Sequence, residues 1–260
     1  MRIALGIEYD GSQFSGWQMQ KHGTRTVQEC LEKALSIVAD EPVQVVCAGR
    51  TDTGVHATGQ VVHFDCSVSR PDRAWVMGVN AHLPDDVASL WAQSVVEQFS
   101  ARFSATARQY RYVILNRQAR SAVLNQKVTW KHGPLDEQRM HQAAQALLGE
   151  RDFSSFRAAA CQAEHAMRNV HWVNVTRAGD FIYIDIEANA FLHHMVRNIV
   201  GSLLMVGSGE QPVEWIDQLM QAQDRTQAGP TAAADGLYLV KVVYPESSGV
   251  QQPTYLPAFA

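Results

Sequence analysis

Residues 171–188 read HWVNVTRAGDFIYIDIEA: two runs rich in β-branched and aromatic residues on either side of Ala178-Gly179-Asp180. That pattern predicts a β-hairpin. Toward the C-terminus a long apolar helix is expected over about 191 to 206, a shorter one near 213 to 222, and a last strand over LYLVKVVY (237–244). Toward the N-terminus, LDEQRMHQAAQALLG (135–149) carries helical spacing and RQYRYVIL (108–115) reads as a strand.

The first half shows the same mixture. Ile3, Leu5, Ile7 and Tyr9 alternate as in a strand, and GSQFSGWQMQ (11–20) is a loop rich in glycine and aromatics. Thr26 caps a helix, with Glu29 as its capping-box partner and Val27, Leu31, Ala34, Leu35 and Val38 as its apolar face. Strands are predicted over VQVVCA (43–48) and ATGQVVHFDC (57–66), with GRTDTGVH (49–56) as a polar loop between them. A helix over about 71 to 81 and a strand through VASLWAQSVV (87–96) complete this half.

Strands and helices mixed this way, with a hairpin joining neighbours, give an α+β class with a mainly antiparallel sheet. Each half is expected to be a split βαβ arrangement of the ferredoxin-like or RRM-like kind. The boundary is placed near residue 100, giving domains over 1–100 and 101–246 and an extended or loosely attached tail over 247–260.

A chain of 260 residues with 46% hydrophobic content can bury a sizeable core. No apolar run approaches the roughly 20 residues of a membrane helix, and the N-terminus MRIALGIEYD lacks a clean apolar stretch, so a cytoplasmic protein without membrane association is expected. The four cysteines (Cys30, Cys47, Cys66 and Cys161) form no C-x-x-C pair and suggest neither a disulfide framework nor a zinc site. A net charge of −4 excludes nucleic-acid binding by bulk charge alone. The charge is unevenly spread, however. No acid occurs between Glu97 and Asp136, where seven cations fall, from Arg102, Arg108 and Arg111 through Arg117 and Arg120 to Lys127 and Lys131. Such a segment suits a phosphate-binding groove as well as an ordinary solvated face.

In GRTDTGVH, charged Arg50 and Asp52 stand between two glycines at the end of an apolar strand. Glycines there allow a sharp turn and close approach of a ligand. An aspartate in that place serves as nucleophile, general base or metal ligand, or bonds nearby backbone in a turn. Arg197, on the apolar helix, needs a partner if buried. His193 and His194, adjacent on the expected helix, point about 100° apart, and no acidic partner stands at a ligand spacing, so packing or RNA contact is read rather than a metal pair. His56 and His63 are likewise read as packing, and no metal site is expected.

The chain closely resembles the bacterial tRNA pseudouridine synthase A family. The likeness rests on YDGSQFSGWQMQ (9–20), TVQECLEKAL (26–35), AGRTDTGVHATGQVVHF (48–64), VNAHLP (79–84), ARFSATARQYRY (101–112), GERDFSSFR (149–157), FLHHMVRNIVGSL (191–203) and GLYLVKVVYP (236–245). It implies two ferredoxin-like halves joined through a central sheet with an active-site cleft between them. It also implies conversion of uridine to pseudouridine at positions 38, 39 and 40 of the tRNA anticodon stem-loop, with no cofactor and by a homodimer. Under the resemblance Asp52 is the catalytic carboxylate and Arg197 its counter-charge. Tyr110 stacks on the target base, Arg50 holds the extruded nucleotide or its phosphate, and Leu237 lines the uracil pocket. Arg102, Arg108, Arg111, Arg157 and Arg168 are candidate tRNA contacts. The segment CQAEHAMRNV (161–170) departs from the family pattern, with Ala163 and His165 where Ser and Thr are expected.

Two other readings compete with this one. A non-catalytic RNA-binding protein or RNA chaperone on the same fold would not need an acid at position 52. A metal-dependent nuclease would need further carboxylates near the histidines that the sequence does not supply.

Overall fold

A computed structural model describes residues 1–20, 23–250 and 252–259. In chain order the elements are β1 (Arg2–Tyr9), α1 (Val27–Ala39), β2 (Val46–Cys47), β3 (His56–Asp65), α2 (Asp72–Asn80), β4 (Val87–Val95), β5 (Ala107–Asn116), β6 (Thr129–Lys131), α3 (Glu137–Ala144), β7 (Gly149–Asp152), β8 (Met167–Ala178), β9 (Phe181–Ala188), α4 (Met195–Gly207), α5 (Trp215–Ala222) and β10 (Leu237–Val243), with short 3-10 turns between. The class is α+β and most strand pairings are antiparallel. The chain packs as two compact units: Met1–Arg108 with Tyr238–Pro257, and Gln109–Leu237 with Ala258–Ala260. The division falls later than residue 100, and nearly all of β10 belongs with the first unit.

In the first unit β1 lies between β3 and β4, antiparallel to both, while β2 pairs antiparallel with β3 and β10 runs parallel to β3. Alternation along β1 sends Ile3, Leu5 and Ile7 to one face, all fully buried, and Ala4 to the other, where it packs with Val61, Phe99, Ala101 and Val242. Thr26 caps α1 as expected, accepting from the Glu29 amide at 3.4 Å. The Glu29 carboxylate, however, pairs with Lys33, one turn on, at 2.7 Å. β2 is only two residues long, and Val43 and Val45 before it bury their side chains from irregular backbone.

His63, on β3, is buried and accepts the Ala101 amide on Nδ1 at 3.0 Å. Burial, with Arg2 nearby, holds its pKa below the usual 6.5. The unfolded chain therefore takes up a proton that the folded chain resists, so the neutral ring's contribution is complete above about pH 6.5 and declines as pH falls below it. Denaturant titrations at pH 7.5 and 5.5 should show a loss of stability on acidification that is smaller in His63→Asn; an equal loss in both proteins would remove His63 as the cause.

In the second unit the order is β5-β9-β8-β7, with β6 parallel to β5. The hairpin forms where expected: Ala178 pairs with Phe181 across a two-residue Gly179-Asp180 turn, and the register runs down to Trp172 and Glu187 before a bulge. Ile182, Ile184 and Ile186 are buried, and α3 packs on β8 and on α4. The long helix begins at Met195, later than the 191 read from apolar spacing, because His194 takes a left-handed conformation (φ 61°). The His193–His194 pair therefore precedes the helix, and the two rings lie 3.9 Å apart rather than splayed around it.

Described residues of the tail are anchored by hydrogen bonds and ring contacts. Gln252 donates to the Gly59 carbonyl at 3.0 Å, Thr58 donates to the Tyr255 carbonyl, and in the second unit Phe259 stacks on Phe181 with its amide on the Tyr183 hydroxyl. No described helix is long and apolar enough to cross a membrane, and all four cysteines are free.

Candidate active site

The loop between β2 and β3 carries Arg50 and Asp52, and its backbone is fixed at several points within the first unit. Gln60 on β3 is fully buried. Its amide donates to the Gly49 carbonyl at 2.6 Å and accepts from the Gly49 and Val61 amides at 3.4 and 3.2 Å. Two residues on, the Thr51 hydroxyl meets the Tyr9 hydroxyl at 2.7 Å, and the Thr51 carbonyl accepts the Trp17 amide at 3.0 Å. The Asp52 carbonyl then accepts from Val55, closing a turn over Thr53 and Gly54.

This arrangement explains why the aromatic loop at 11–20 accompanies the acidic one. Gly16, at φ +88°, passes so close that a Cβ there would stand 2.9 Å from the Thr51 carbonyl oxygen. His56 supports the same corner by packing: Nδ1 accepts the Gly11 amide at 3.0 Å, beside the Asp10 carboxylate, and the ring stacks on Tyr238 at 4.6 Å. Between these fixed points Asp52 is half-buried and Arg50 is exposed. A carboxylate on a backbone held this way keeps its position without a reorganisation cost when a substrate arrives.

In the second unit Arg197 lies in the first turn of α4, and Ala232 faces it. Arg197 donates through Nε to the Ala232 carbonyl at 2.8 Å, and the Ala232 amide donates back to the Arg197 carbonyl at 3.1 Å. This pairing depends on Gly201, because a Cβ there would fall 1.7 Å from the Pro230 carbonyl oxygen. Fully buried Asn198, not singled out from the sequence, ties the neighbourhood together by donating to the Phe156 carbonyl at 2.8 Å and accepting from Thr231 and Arg225. A buried polar residue inside an apolar helix was the available signal.

Tyr110 is buried edge-on against Phe191, with ring centroids 5.0 Å apart. Leu237, also buried, opens β10 with its amide on the Ala234 carbonyl. Next along β5, Tyr112 bonds Thr129 at 2.6 Å and the Ala233 carbonyl at 2.8 Å, and burial raises its phenol pKa well above the usual range.

The candidate RNA-contacting arginines divide by environment. Arg111 gives two N–H groups to Asp185, at 2.7 and 2.9 Å, and lies over the Tyr183 ring. Arg108 donates to the carbonyls of Ala48, Arg102 and Ala105. Both are thus engaged in bracing the fold. Arg157 holds the Cys161 and Ala163 carbonyls, and Arg168 those of His165 and Met167. Because these contacts to residues 163 and 165 are made to backbone oxygens, the Ala and His found there leave them unchanged. Arg50 and Arg102 are the exposed members of the set.

The family described as tRNA pseudouridine synthase matches residues 6–104 and 143–245. The chain belongs to this family. Pseudouridine synthase relatives match along nearly its whole length. A protein of Hydrogenovibrio crunogenus named tRNA pseudouridine synthase A is 61% identical over 94% of this chain and 93% of its own. One of Shewanella amazonensis with the same name is 61% identical over 100% and 99% respectively, and one of Vibrio campbellii is 60% identical over 99% and 98%. The segments matched to the pseudouridine synthase family contain Arg50, Asp52, Arg102, Arg157, Arg168, Arg197 and Leu237. Arg108, Tyr110 and Arg111 fall in the interval between them and are spanned by the full-length relatives.

Proposed function

We propose that this protein converts uridine to pseudouridine in tRNA, at positions 38, 39 and 40 of the anticodon stem-loop, with Asp52 as the catalytic carboxylate. The observation that carries the proposal is identity of about 60% over the full chain with proteins named tRNA pseudouridine synthase A. The reaction breaks the C1′–N1 bond of uridine, forms C1′–C5, and exchanges the C5 proton for one on N1. The product is an isomer of the substrate, so atoms and electrons balance without a redox or group-transfer cofactor.

Asp52 acts by attack at the sugar or the base, or by initiating proton removal at the sugar, and Arg197 is its counter-charge. Tyr110 stacks on the base, Leu237 lines its pocket, and exposed Arg50 holds the extruded nucleotide, whose unstacking costs a few kcal/mol. The first unit's strand order β4-β1-β3-β2, with α1 between β1 and β2, supports a ferredoxin-like reading of that half. In the second unit the neighbours β5-β9-β8, with α3 between β5 and β8, support the same reading. A homodimer, measurable by sedimentation, completes the proposal.

The test is tritium release from [5-³H]uridine in unmodified tRNA, with EDTA and no added cofactor, followed by mapping of the modified positions. Release with pseudouridine at 38 to 40 is expected. Tight tRNA binding without release would instead assign the fold to binding alone.

A further inference from the structure

Phe103 is 78% exposed, yet it sits on a turn whose backbone is held from several sides. Ser104 donates its amide to the Ser100 carbonyl at 2.9 Å and receives the Ser100 amide on its hydroxyl at 3.0 Å. The Phe103 amide itself donates to the Ser100 hydroxyl at 3.3 Å. Side chains from elsewhere in the first unit then pin Phe99, Ala101 and Arg102. Arg2 donates to the Phe99 carbonyl at 2.7 Å, and His63 accepts the Ala101 amide at 3.0 Å. Tyr244 donates to the Ala101 carbonyl at 2.7 Å and Arg108 to the Arg102 carbonyl at 2.7 Å. Phe99 and Ala101 are buried beneath, with Phe99 packed against Tyr244 and His63.

Four side chains thus fix a turn whose next residue holds its ring in solvent. The Arg102 guanidinium lies over that ring, 5.0 Å from its centroid. A single exposed apolar side chain is ordinary on a protein surface. The combination here differs, because the ordering of the backbone has been met by folding and the ring has only two torsions left to lose on binding. Burial of Phe103 adds nothing to the fold, so the braced turn is best understood as a presentation device for the ring and its arginine.

We propose that Phe103, backed by Arg102, is a stacking site for an unpaired base of the RNA substrate. Aromatic faces accept any base, and a neighbouring guanidinium suits the adjoining phosphate. The charge of the surrounding sequence fits such an occupant, since no acid occurs from residue 98 to residue 135. The site lies apart in sequence from the Asp52 loop and acts in binding rather than in bond making. The proposal rests on the tRNA reading given above.

Because Phe103 is exposed, its variants should fold normally, and an unchanged melting temperature checks this. Phe103→Ala is expected to weaken binding of unmodified tRNA by about 5- to 150-fold at fixed salt, the range for loss of one base stack. Phe103→Leu should be weakened comparably, since it restores apolar area without a π-face. Phe103→Trp should bind as the wild type does, with indole fluorescence quenched by tRNA. Wild-type affinity in Phe103→Ala, or recovery in Phe103→Leu, would overturn the stacking site while leaving the enzyme assignment intact. A shift of Phe103→Ala from dimer to monomer in sedimentation would make the ring an interface between copies and overturn the RNA occupant. Failure of the wild type to bind tRNA at all would overturn this proposal together with the functional reading.

Discussion

Asp52→Asn should abolish tritium release, by about a thousandfold or more, while leaving tRNA affinity and melting temperature near wild type. Asparagine has the shape of aspartate but is neither a nucleophile nor a base at neutral pH, and removal of such a group typically costs several orders of magnitude in turnover. The loop should keep its fold because its backbone is held at Gly49, Thr51 and the Asp52 carbonyl by contacts that remain in the variant, with only the proposed charge interaction with Arg197 removed. Removing one negative charge near bound RNA can only favour phosphate binding, so any change in affinity should be a gain, most visible at low salt. The decisive comparison is single-turnover release with enzyme in excess over tRNA, which separates chemistry from binding. If Asp52→Asn retains more than a tenth of the wild-type rate, Asp52 is not in the chemistry and the catalytic group must be sought elsewhere. Asp52→Glu keeps the charge but lengthens the arm by one methylene, and intermediate activity from it would confirm that placement as well as charge is required.

Much of the fold is legible in the sequence because its signals are local. The Thr26 cap, the α1 stripe and the hairpin at residues 171–188 each depend on residues a few positions apart, and each formed where it was read. The signals that misled were of two kinds. Apolar spacing reports which residues are buried and not how the backbone runs, so residues 191–194 looked like the start of α4 although Met195 donates to the Leu192 carbonyl in a turn and His194 is left-handed. Short polar edge strands such as Gly149–Asp152 and Thr129–Lys131 have too few residues to show any period and were not read at all.

The site was legible to a different degree. The acidic loop announced itself by glycines and charge, while the partners proposed for it rest on the family motifs alone. Charge alone could not say which arginines remain available to RNA. Arg111 reads as a free cation in its own segment, but Asp185 stands opposite it from a strand 74 residues away, and only strand pairing brings the two together. Gln60 gave no signal, since a glutamine within an apolar strand is indistinguishable from a solvent-facing one until the partner backbone is known.

Gln60 is the residue through which sequence remote from the carboxylate should control its placement. Gln60→Leu keeps the volume but removes a donor and an acceptor from a fully buried position, leaving the Gly49 carbonyl and amide without the partners seen in the structure. Two stranded backbone groups should cost about 2–5 kcal/mol of stability. The catalytic effect should be separate from this: at a temperature where the variant is fully folded, single-turnover release is expected to fall by about a hundredfold with little change in tRNA affinity, because displacement of a reacting group by an ångström has that order of consequence. Gln60→Glu sharpens the test. Ionised, its carboxylate opposes the Gly49 carbonyl; protonated, it again offers a donor there, and burial favours the protonated form. Measured where the variant is fully folded at every pH, its release rate relative to wild type should therefore rise as the pH is lowered, a profile that a change in the folded fraction then cannot produce. A Gln60→Leu enzyme that is less stable yet turns over at the wild-type rate when folded would show that Gln60 supports the sheet and has no part in aiming Asp52.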